Sequence, residues 1–275
     1  MTSPTPTPND KILVDKADGV AVITLNAPEK RNAIDRDMVD GLHAALDDLL
    51  ASDDVTVLVL TGAGDRAFAA GADIAQLKER KAIDALAAIN SGIFKRIEDF
   101  PWPSIAAIKG YALGGGCELA IACDLRVAGV SAKMGQPEVA LGIMPAAGGT
   151  YRLPRLVGLG KARELIYTGR IIDAQECLRI GLVNDVVDDA DVLTRAMEIA
   201  AEIAGRGRMA VRLAKASMNA LSRPGEAAAM SVESVAQALL FDSDDKHQRM
   251  EAFLNRKKKS WGLAIDMSDT ATFQT

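Results

Sequence analysis

Histidine and cysteine are scarce in this sequence, which narrows the chemistry open to it. Among 275 residues, two are histidine and three are cysteine. His43 and His247 stand in polar, helix-like surroundings without a neighbouring serine or cysteine motif, which argues against a histidine-activated nucleophile. The three cysteines lack the spacing of a disulfide framework or a metal site. Cys117, Cys123 and Cys177 are therefore predicted to be reduced thiols of a cytoplasmic protein.

Positive charge is also in deficit. The chain has 32 Lys and Arg against 37 Asp and Glu, a formal net charge of −5. A protein that binds nucleic acid regardless of sequence usually carries a strong basic surplus. We therefore expect no nucleic-acid partner. A small anionic ligand stays compatible with this charge, because a few local cations suffice to hold a phosphate.

Long apolar runs are missing as well. None approaches the roughly 20 residues that a membrane-spanning helix needs. The first residues are polar and proline-rich, without the basic start and apolar run of a signal peptide. We expect no membrane partner, and we expect disordered tails at residues 1–10 and 261–275.

Short apolar runs alternate with helical patterns in the first part of the chain. Strands are predicted at residues 11–15, 19–25, 55–60, 104–108 and 124–128. After residue 161 the strand signal mostly disappears, and helices are predicted at residues 161–168, 174–179, 190–204, 209–221, 225–240 and 244–258. This order predicts an α/β core at residues 11–205 and a helical C-terminal region at residues 206–260.

Three consecutive glycines, 114–116, stand between a predicted strand and a predicted helix. Without side chains they let a ligand approach the backbone, and the free N–H groups of a helix start favour negative charge. No Gly-Lys-Ser/Thr follows, and consecutive glycines do not fit a dinucleotide-binding fingerprint. The triplet alone is compatible with either a ligand site or a tight packing turn.

Two glutamates stand alone among apolar neighbours, each beside a turn. Glu118 follows the glycine triplet, and Glu138 follows Gly135-Gln-Pro137. If the two carboxyl groups meet, they form an acid/base pair that titrates together, with one group holding a proton at neutral pH. The alternative for Glu118 is a surface carboxylate at a helix start. A further small-residue segment, 69–73, offers either a second close approach to a ligand or a plain loop.

Together these motifs resemble the enoyl-CoA hydratase/isomerase, or crotonase, superfamily over roughly residues 12–258. The motifs that carry the resemblance are Ala70–Ile74, Gly110–Leu119, Cys123-Asp124, Gly135–Glu138, Leu141-Gly142, Pro145–Gly149, Thr168-Gly169, Ala174, Gly181–Val183 and Ala252-Phe253. The resemblance implies an α/β, crotonase-like spiral of ββα turns followed by a helical C-terminal trimerisation region. It also implies assembly as a homotrimer or homohexamer.

The resemblance further implies hydration of a trans-2-enoyl-CoA thioester to the 3-hydroxyacyl-CoA. The N–H groups of Ala72 and Gly115 would form an oxyanion hole for the thioester oxygen. Glu118 and Glu138 would hold the attacking water, with Glu138 protonating the α-carbon and Glu118 assisting the water as base. No cofactor is expected, neither metal nor redox group, because coenzyme A is part of the substrate.

More residues are expected around the substrate. The predicted binding residues are Ala70, Gly71, Asp73, Ile74, Lys30, Arg31, Gly114, Ala146 and Arg256. Lys30 and Arg31 occupy a loop that borders the CoA site in the family, and Arg256 matches a basic position that a neighbouring subunit can supply. Solvated surface cations are the alternative for these three. The acyl-tail pocket is expected between residues 76 and 100, while acyl chain length and pathway stay open.

The sequence departs from the family pattern at a few positions. Ala75 stands where relatives often have a polar residue, and Gln248-Arg249 replaces a common Glu-Gly. Ala146 stands where glycine is common, yet its N–H can still help to hold the water if its φ is negative.

Two other functions compete with hydration. One is an enoyl-CoA isomerase or another crotonase-fold lyase, and isomerases typically lack one of the two glutamates. The other is a non-catalytic acyl-CoA-binding or RNA-binding member, which loss of a glutamate would have signalled. Because both glutamates are present, the sequence favours the hydratase.

Overall fold

The computed structural model describes residues 5–6, 10–222 and 225–266. The predicted tails at 1–10 and 261–275 lie outside these residues except at 5–6, 10 and 261–266. Where they are described they differ from the prediction, because 5–6 form a strand and 261–266 continue the last helix. The strands are β1 (Thr5–Pro6), β2 (Ile12–Ala17), β3 (Val20–Leu25), β4 (Val57–Gly62), β5 (Ala67–Ala69), β6 (Ser104–Ile108), β7 (Tyr111–Leu113), β8 (Leu125–Gly129), β9 (Lys133–Gly135), β10 (Ile172–Asp173) and β11 (Asp185–Val187).

Helices connect and cover these strands. They are α1 (Arg36–Ala51), α2 (Ile74–Glu79), α3 (Ala82–Leu86), α4 (Ile89–Glu98), α5 (Gly115–Ala122), α6 (Gly149–Val157), α7 (Leu159–Thr168), α8 (Ala174–Arg179), α9 (Val192–Ala204), α10 (Arg208–Ser222), α11 (Glu226–Phe241) and α12 (Asp244–Asp266). Short 3-10 turns span Pro28–Lys30, Pro137–Leu141 and Asp189–Asp191. Within the described residues, no helix is both long enough and apolar enough to cross a membrane.

The strands form two sheets. The larger has the order β1-β2-β3-β4-β6-β8-β11, antiparallel from β1 to β3 and parallel from β3 to β11. The smaller has the order β10-β9-β7-β5, in which β5, β7 and β9 run parallel. The predicted mixed α/β core followed by C-terminal helices is therefore confirmed.

The larger sheet is buried on both faces, as its continuous apolar runs predict. In β4, Val57 and Val59 belong to the cluster beneath α9, whereas Leu58 and Leu60 belong to the main core. The main core lies between the larger sheet and the smaller one and also takes in residues of α1, α4 and α5. The small sheet is thus fixed firmly at its inner side, which matters because it positions the site.

Several short elements were not predicted from the sequence. Strands β5, β7, β9, β10 and β11 have two or three residues each, too few to display an alternation. Two of them follow residue 161, where only helices were predicted. Helix α6 was not predicted because it opens on two glycines and contains Pro154, which weaken a helical pattern.

The last two helices pack across the short helices that follow β5. Helix α11 contacts α3, and α12 contacts α2. Phe241 and Met250 from this C-terminal region form a buried cluster with Leu77 and Ile143. The C-terminal region therefore helps to enclose a cavity above the small sheet. The predicted boundary at 205–206 falls between α9 and α10.

Candidate active site

A cavity of about 650 Å³ lies at one edge of the small sheet. All the residues predicted for the site line it: Lys30, Arg31, Ala70, Gly71, Ala72, Asp73, Ile74, Gly114, Gly115, Glu118, Glu138, Ala146 and Arg256. Parts of the predicted tail-binding segment, including Leu77, Ala85 and Ile89, line it too. The structure thus brings together groups that are far apart in sequence.

Parallel strand pairing explains this convergence. The segment with Ala72 follows β5, the segment with Gly115 and Glu118 follows β7, and the segment with Glu138 follows β9. Because β5, β7 and β9 are parallel neighbours, their carboxyl ends lie at the same edge. The N–H of Gly114 donates to the Gly135 carbonyl at 2.9 Å and ties two of these ends together.

The backbone at Ala72 and Gly115 is open to a ligand. Glycines reverse the chain just before each residue, with φ of +87° at Gly71 and +53° at Gly114. A β-carbon added to Gly115 would lie 3.7 Å from the Ala72 nitrogen, so the two segments are close neighbours. Among the described residues, neither N–H donates a hydrogen bond to another protein atom. Two free donors therefore belong to residues that line the same cavity.

Glu118 is buried in the first turn of α5, where it accepts two backbone hydrogen bonds. Its Oε1 accepts from the N–H of Ala147 at 2.7 Å and from the N–H of Gly149 at 2.9 Å. Burial raises the pKa of Glu118, while these two donors and the nearby Arg152 charge oppose that rise. The pKa of Glu118 is still raised overall, so these donors limit the effect of burial without cancelling it.

Glu138 lies in the Pro137–Leu141 turn and is also buried. Its carboxylate lies against Gly114, since a β-carbon there would be 2.9 Å from Oε1. In the amide orientation that satisfies both of its polar atoms, Gln136 donates to Oε1 and Oε2 at 3.1 and 3.3 Å. Burial, and then the charge of Glu118, raise the pKa of Glu138 well above its usual range. Glu138 therefore favours the protonated form.

The predicted cations lie at the same cavity. The carbonyl of Arg31 accepts from the Ala70 N–H at 3.0 Å, which holds the Lys30-Arg31 loop beside the small sheet. Arg256 lines the cavity from α12 of the same chain.

The backbone of Ala146 has a negative φ, which is the conformation expected if its N–H is to help hold the water. Among the described residues, no group of three or more His, Cys, Asp or Glu is arranged to hold a metal ion.

Sequence reasoning missed three polar residues here. Arg80 lines the cavity, and burial lowers its pKa. Asn90 also lines it, and its Oδ1 is buried without a hydrogen-bond partner among the described atoms. Glu233, on α11, is buried behind the 147–150 segment that holds Glu118. None of the three stands in a glycine- or proline-rich motif that could have drawn attention to it.

Comparisons with known proteins point to one family. Residues 15–263 match the family described as enoyl-CoA hydratase/isomerase. The chain is 43% identical over 254 residues to a crotonyl-CoA hydratase of Syntrophomonas wolfei, covering 92% of this chain and 98% of that protein. It is 40% identical over 251 residues to a short-chain-enoyl-CoA hydratase of Clostridium acetobutylicum, covering 90% and 96%.

A solved structure gives the same result for the fold. The crystal structure of an enoyl-CoA hydratase/isomerase from Xanthobacter autotrophicus superimposes with a TM-score of 0.83 at 32% identity, covering 96% of this chain and 99% of that one. The predicted crotonase fold is therefore confirmed.

Proposed function

The chain belongs to the enoyl-CoA hydratase/isomerase family, and we propose that it hydrates a trans-2-enoyl-CoA with Glu118, Glu138 and the N–H groups of Ala72 and Gly115. The observation that carries this assignment is the convergence of both carboxyl groups and both free donors on one cavity. The product is the 3-hydroxyacyl-CoA.

The reaction follows from the positions of these groups. The oxygen of a water molecule bonds to the β-carbon while Glu118 takes a proton from that water. The electrons of the carbon–carbon double bond shift to the bond between the α-carbon and the thioester carbon, and the carbonyl electrons move to the thioester oxygen, where the two N–H groups stabilise the negative charge. The carbonyl then re-forms as the α-carbon takes a proton from Glu138, and exchange with solvent restores both carboxyl groups. Each step moves only protons and electron pairs, so no redox cofactor takes part.

Their surroundings support the division of roles between the two glutamates. A general base must be ionised at rest, and the two N–H donors to Glu118 favour its ionised form. A general acid must hold a proton, and the burial of Glu138 beside the charge of Glu118 favours that state. The pair titrates together, so each role depends on the partner.

Four cations suit the coenzyme A part of the substrate. Lys30, Arg31, Arg80 and Arg256 line the cavity, and guanidinium and ammonium groups bind phosphates through charge-assisted hydrogen bonds. For the acyl part we propose a short chain, because two relatives are a crotonyl-CoA hydratase and a short-chain-enoyl-CoA hydratase.

We also propose assembly into a homotrimer, alone or paired as a hexamer, in a reducing cytoplasm. The proposal for assembly is supported by large apolar side chains exposed on the C-terminal helices, among them Leu213, Val232 and Leu239. The proposal for the compartment is supported by Cys117, Cys123 and Cys177, which are buried free thiols.

A crotonyl-CoA assay tests the function. Hydration removes the conjugated double bond, so absorbance of the enoyl thioester should fall with time. A 3-enoyl-CoA serves as the matched substrate, because isomerisation would create the conjugated bond and raise the absorbance. If the absorbance stays constant with crotonyl-CoA and rises with the 3-enoyl-CoA, the protein is an isomerase and the proposed hydratase activity is wrong.

A further inference from the structure

Two buried carboxylates share four successive N–H groups at the start of α6. Glu118 accepts from Ala147 and Gly149, as described above. Glu233 accepts the N–H groups in between: Gly148 donates to its Oε2 at 3.0 Å and Thr150 donates to its Oε1 at 3.2 Å. The Thr150 hydroxyl donates to the same Oε1. Each of residues 147–150 thus gives its N–H to one of the two glutamates.

Within the described part of the chain, the two glutamates are the acceptors found for these four N–H groups. The first N–H groups of a helix lack partners within the helix, and an unpaired buried donor is costly. The segment is also conformationally special, because Gly148 has a φ of +111° and a β-carbon there would lie 1.8 Å from Nη1 of Arg152. Because an unpaired buried donor is costly, the two glutamates stabilise this conformation of the segment.

We propose that Glu233 is a positioning residue for the hydration reaction: by holding the N–H groups of Gly148 and Thr150, it keeps those of Ala147 and Gly149 aimed at Glu118. This inference rests on the proposed function of Glu118. Glu233 itself is not among the described residues that line the cavity. It acts on the reaction through the backbone of residues 147–150.

The surroundings of Glu233 make its hydrogen-bond donors important to it. Burial, together with the charge of Glu118, raises the pKa of Glu233 to about 7, while its three donors oppose the rise. A buried carboxyl near a second carboxylate is unfavourable unless its hydrogen bonds compensate. Helix α11 docks through other contacts too, such as Gln237 Oε1, which accepts from the Met144 N–H at 3.3 Å. Helix α11 therefore has a polar docking contact besides those of Glu233.

Glu233→Gln is the first test. Glutamine keeps the size of the side chain, but it has one accepting oxygen, so its NH₂ group must face either the Gly148 or the Thr150 N–H. We expect kcat for hydration to fall roughly 10-fold, the scale for an unsatisfied buried donor. KM should change less than about 2-fold, because Glu118 acts on the attacking water and not on coenzyme A. Wild-type kcat in this variant would overturn the proposal.

A double-mutant cycle with Glu118→Gln separates positioning from general loosening. If Glu233 acts through Glu118, adding Glu233→Gln to Glu118→Gln should cost less than about 2-fold more in kcat. A further 10-fold loss would mean independent effects and would overturn the proposal. Near-wild-type turnover of Glu118→Gln alone would instead refute the proposed function of Glu118. The cycle thus distinguishes failure of the proposed function from failure of the proposed role of Glu233.

Asp124→Asn is the matched control. Asp124 also joins a C-terminal helix to the core, accepting from the Ser104 N–H, the Ser104 hydroxyl and Lys215 of α10. Asp124 lies just beyond the C-terminal end of α5, whereas Glu118 lies in the first turn of that helix. The variant should therefore lower the thermal midpoint of unfolding and leave kcat unchanged. A kcat loss equal to that of Glu233→Gln would refute a specific role for Glu233.

If Glu233→Gln does not fold, Thr150→Val is the second test of the proposal. A lowered kcat at unchanged KM supports the proposal, and a wild-type kcat overturns it.

Discussion

At the scale of single residues, the two catalytic candidates differ in their partners and not in their burial. Glu118 and Glu138 are 3% and 9% exposed. Backbone N–H groups bind Glu118, whereas the neighbours of Glu138 are a side-chain amide and the charge of Glu118 itself. The pKa of both groups is raised, but that of Glu138 is raised further, so Glu138 holds a proton more readily than Glu118, which suits a paired acid and base.

Replacing either glutamate by glutamine tests this division. Glu118→Gln and Glu138→Gln should each lower kcat by roughly 10²-fold or more, the scale on which general acid/base catalysis is lost. The dissociation constant of a saturated acyl-CoA, measured by calorimetry, should change little in both variants. It is the control that separates chemistry from binding. Near-normal turnover in either variant would remove that residue from the mechanism.

The oxyanion hole is tested by Gly115→Pro. Proline has no N–H, so one of the two donors is lost. Gly115 is the first residue of α5, a position that proline tolerates in helices, so the fold should survive. We expect hydration to slow by about 10²- to 10³-fold. Circular dichroism checks the fold, and a rate within a few-fold of the wild type would exclude the N–H of Gly115 from stabilising the thioester oxygen.

The raised pKa of Glu233 predicts a pH-dependent stability. The folded protein holds this proton with a pKa of about 7, against 4.5 for the ordinary carboxyl, so folding is favoured by protonation. That contribution is complete below pH 4.5 and is lost as the pH rises to about 7. The thermal midpoint of the wild type minus that of Glu233→Gln should therefore be larger at pH 5 than at pH 8. The opposite trend would contradict the raised pKa.

At the scale of elements, the site depends on how closely α5 approaches β5. A β-carbon on Gly116 would lie 1.9 Å from the carbonyl oxygen of Ala69, so no side chain fits between them. This contact holds the start of α5, with Gly115 and Glu118, beside the strand that leads to Ala72. The glycine triplet is therefore both a packing turn and part of the site, and the two sequence interpretations of it are compatible.

Alanine substitutions at two helical glycines test that contact. Gly116→Ala should destabilise the protein strongly, because the clash is with backbone atoms that cannot move aside. Gly92→Ala is the matched control within α4, where a β-carbon meets nothing within 4 Å. It should stabilise the protein by about 0.5–1 kcal/mol, the helix preference of alanine over glycine. Urea denaturation measures both, and equal stabilities of the two variants would contradict the packing described.

Elements with a strong local pattern were predictable from sequence, and elements defined by distant pairing were not. The strand at residues 104–108 and the helix at residues 174–179 agree with the structure at both ends, since their apolar patterns are local. Strands of three residues such as β5 and β9 exist because of their neighbours.

The candidate site follows the same rule. Residues in glycine and proline motifs could be selected from sequence, because such motifs indicate unusual backbone. Glu233 could not, since it meets Gly148 across 85 residues and stands in an ordinary helical segment. The packing of α11 determines which groups the Glu233 side chain contacts. The local sequence around Glu233 does not indicate that packing.

At the scale of the whole molecule, the C-terminal helices expose large apolar side chains in the part of the chain that the structure describes. On α11, Val232, Val235 and Leu239 recur at helical spacing and are 66%, 56% and 73% exposed. Met209 and Leu213 of α10 are exposed in the same way. Soluble proteins seldom leave such apolar faces open to water unless another surface covers them. A second and third copy of this chain are the occupants that the proposed trimer supplies.

Substitution of this face should weaken the assembly and leave the fold intact. In the double variant Val235→Asp with Leu239→Asp, two charges would be buried at an interface, which is costly, whereas in a monomer they would face water. Light scattering should give the wild type at least three times the mass of one chain and give the variant a smaller mass. Leu50→Asp on α1, at a leucine that is half exposed and lies outside the C-terminal helices, is the control and should keep the wild-type mass. A wild-type protein that is monomeric at micromolar concentration would refute the trimer and leave these helices without an assigned partner.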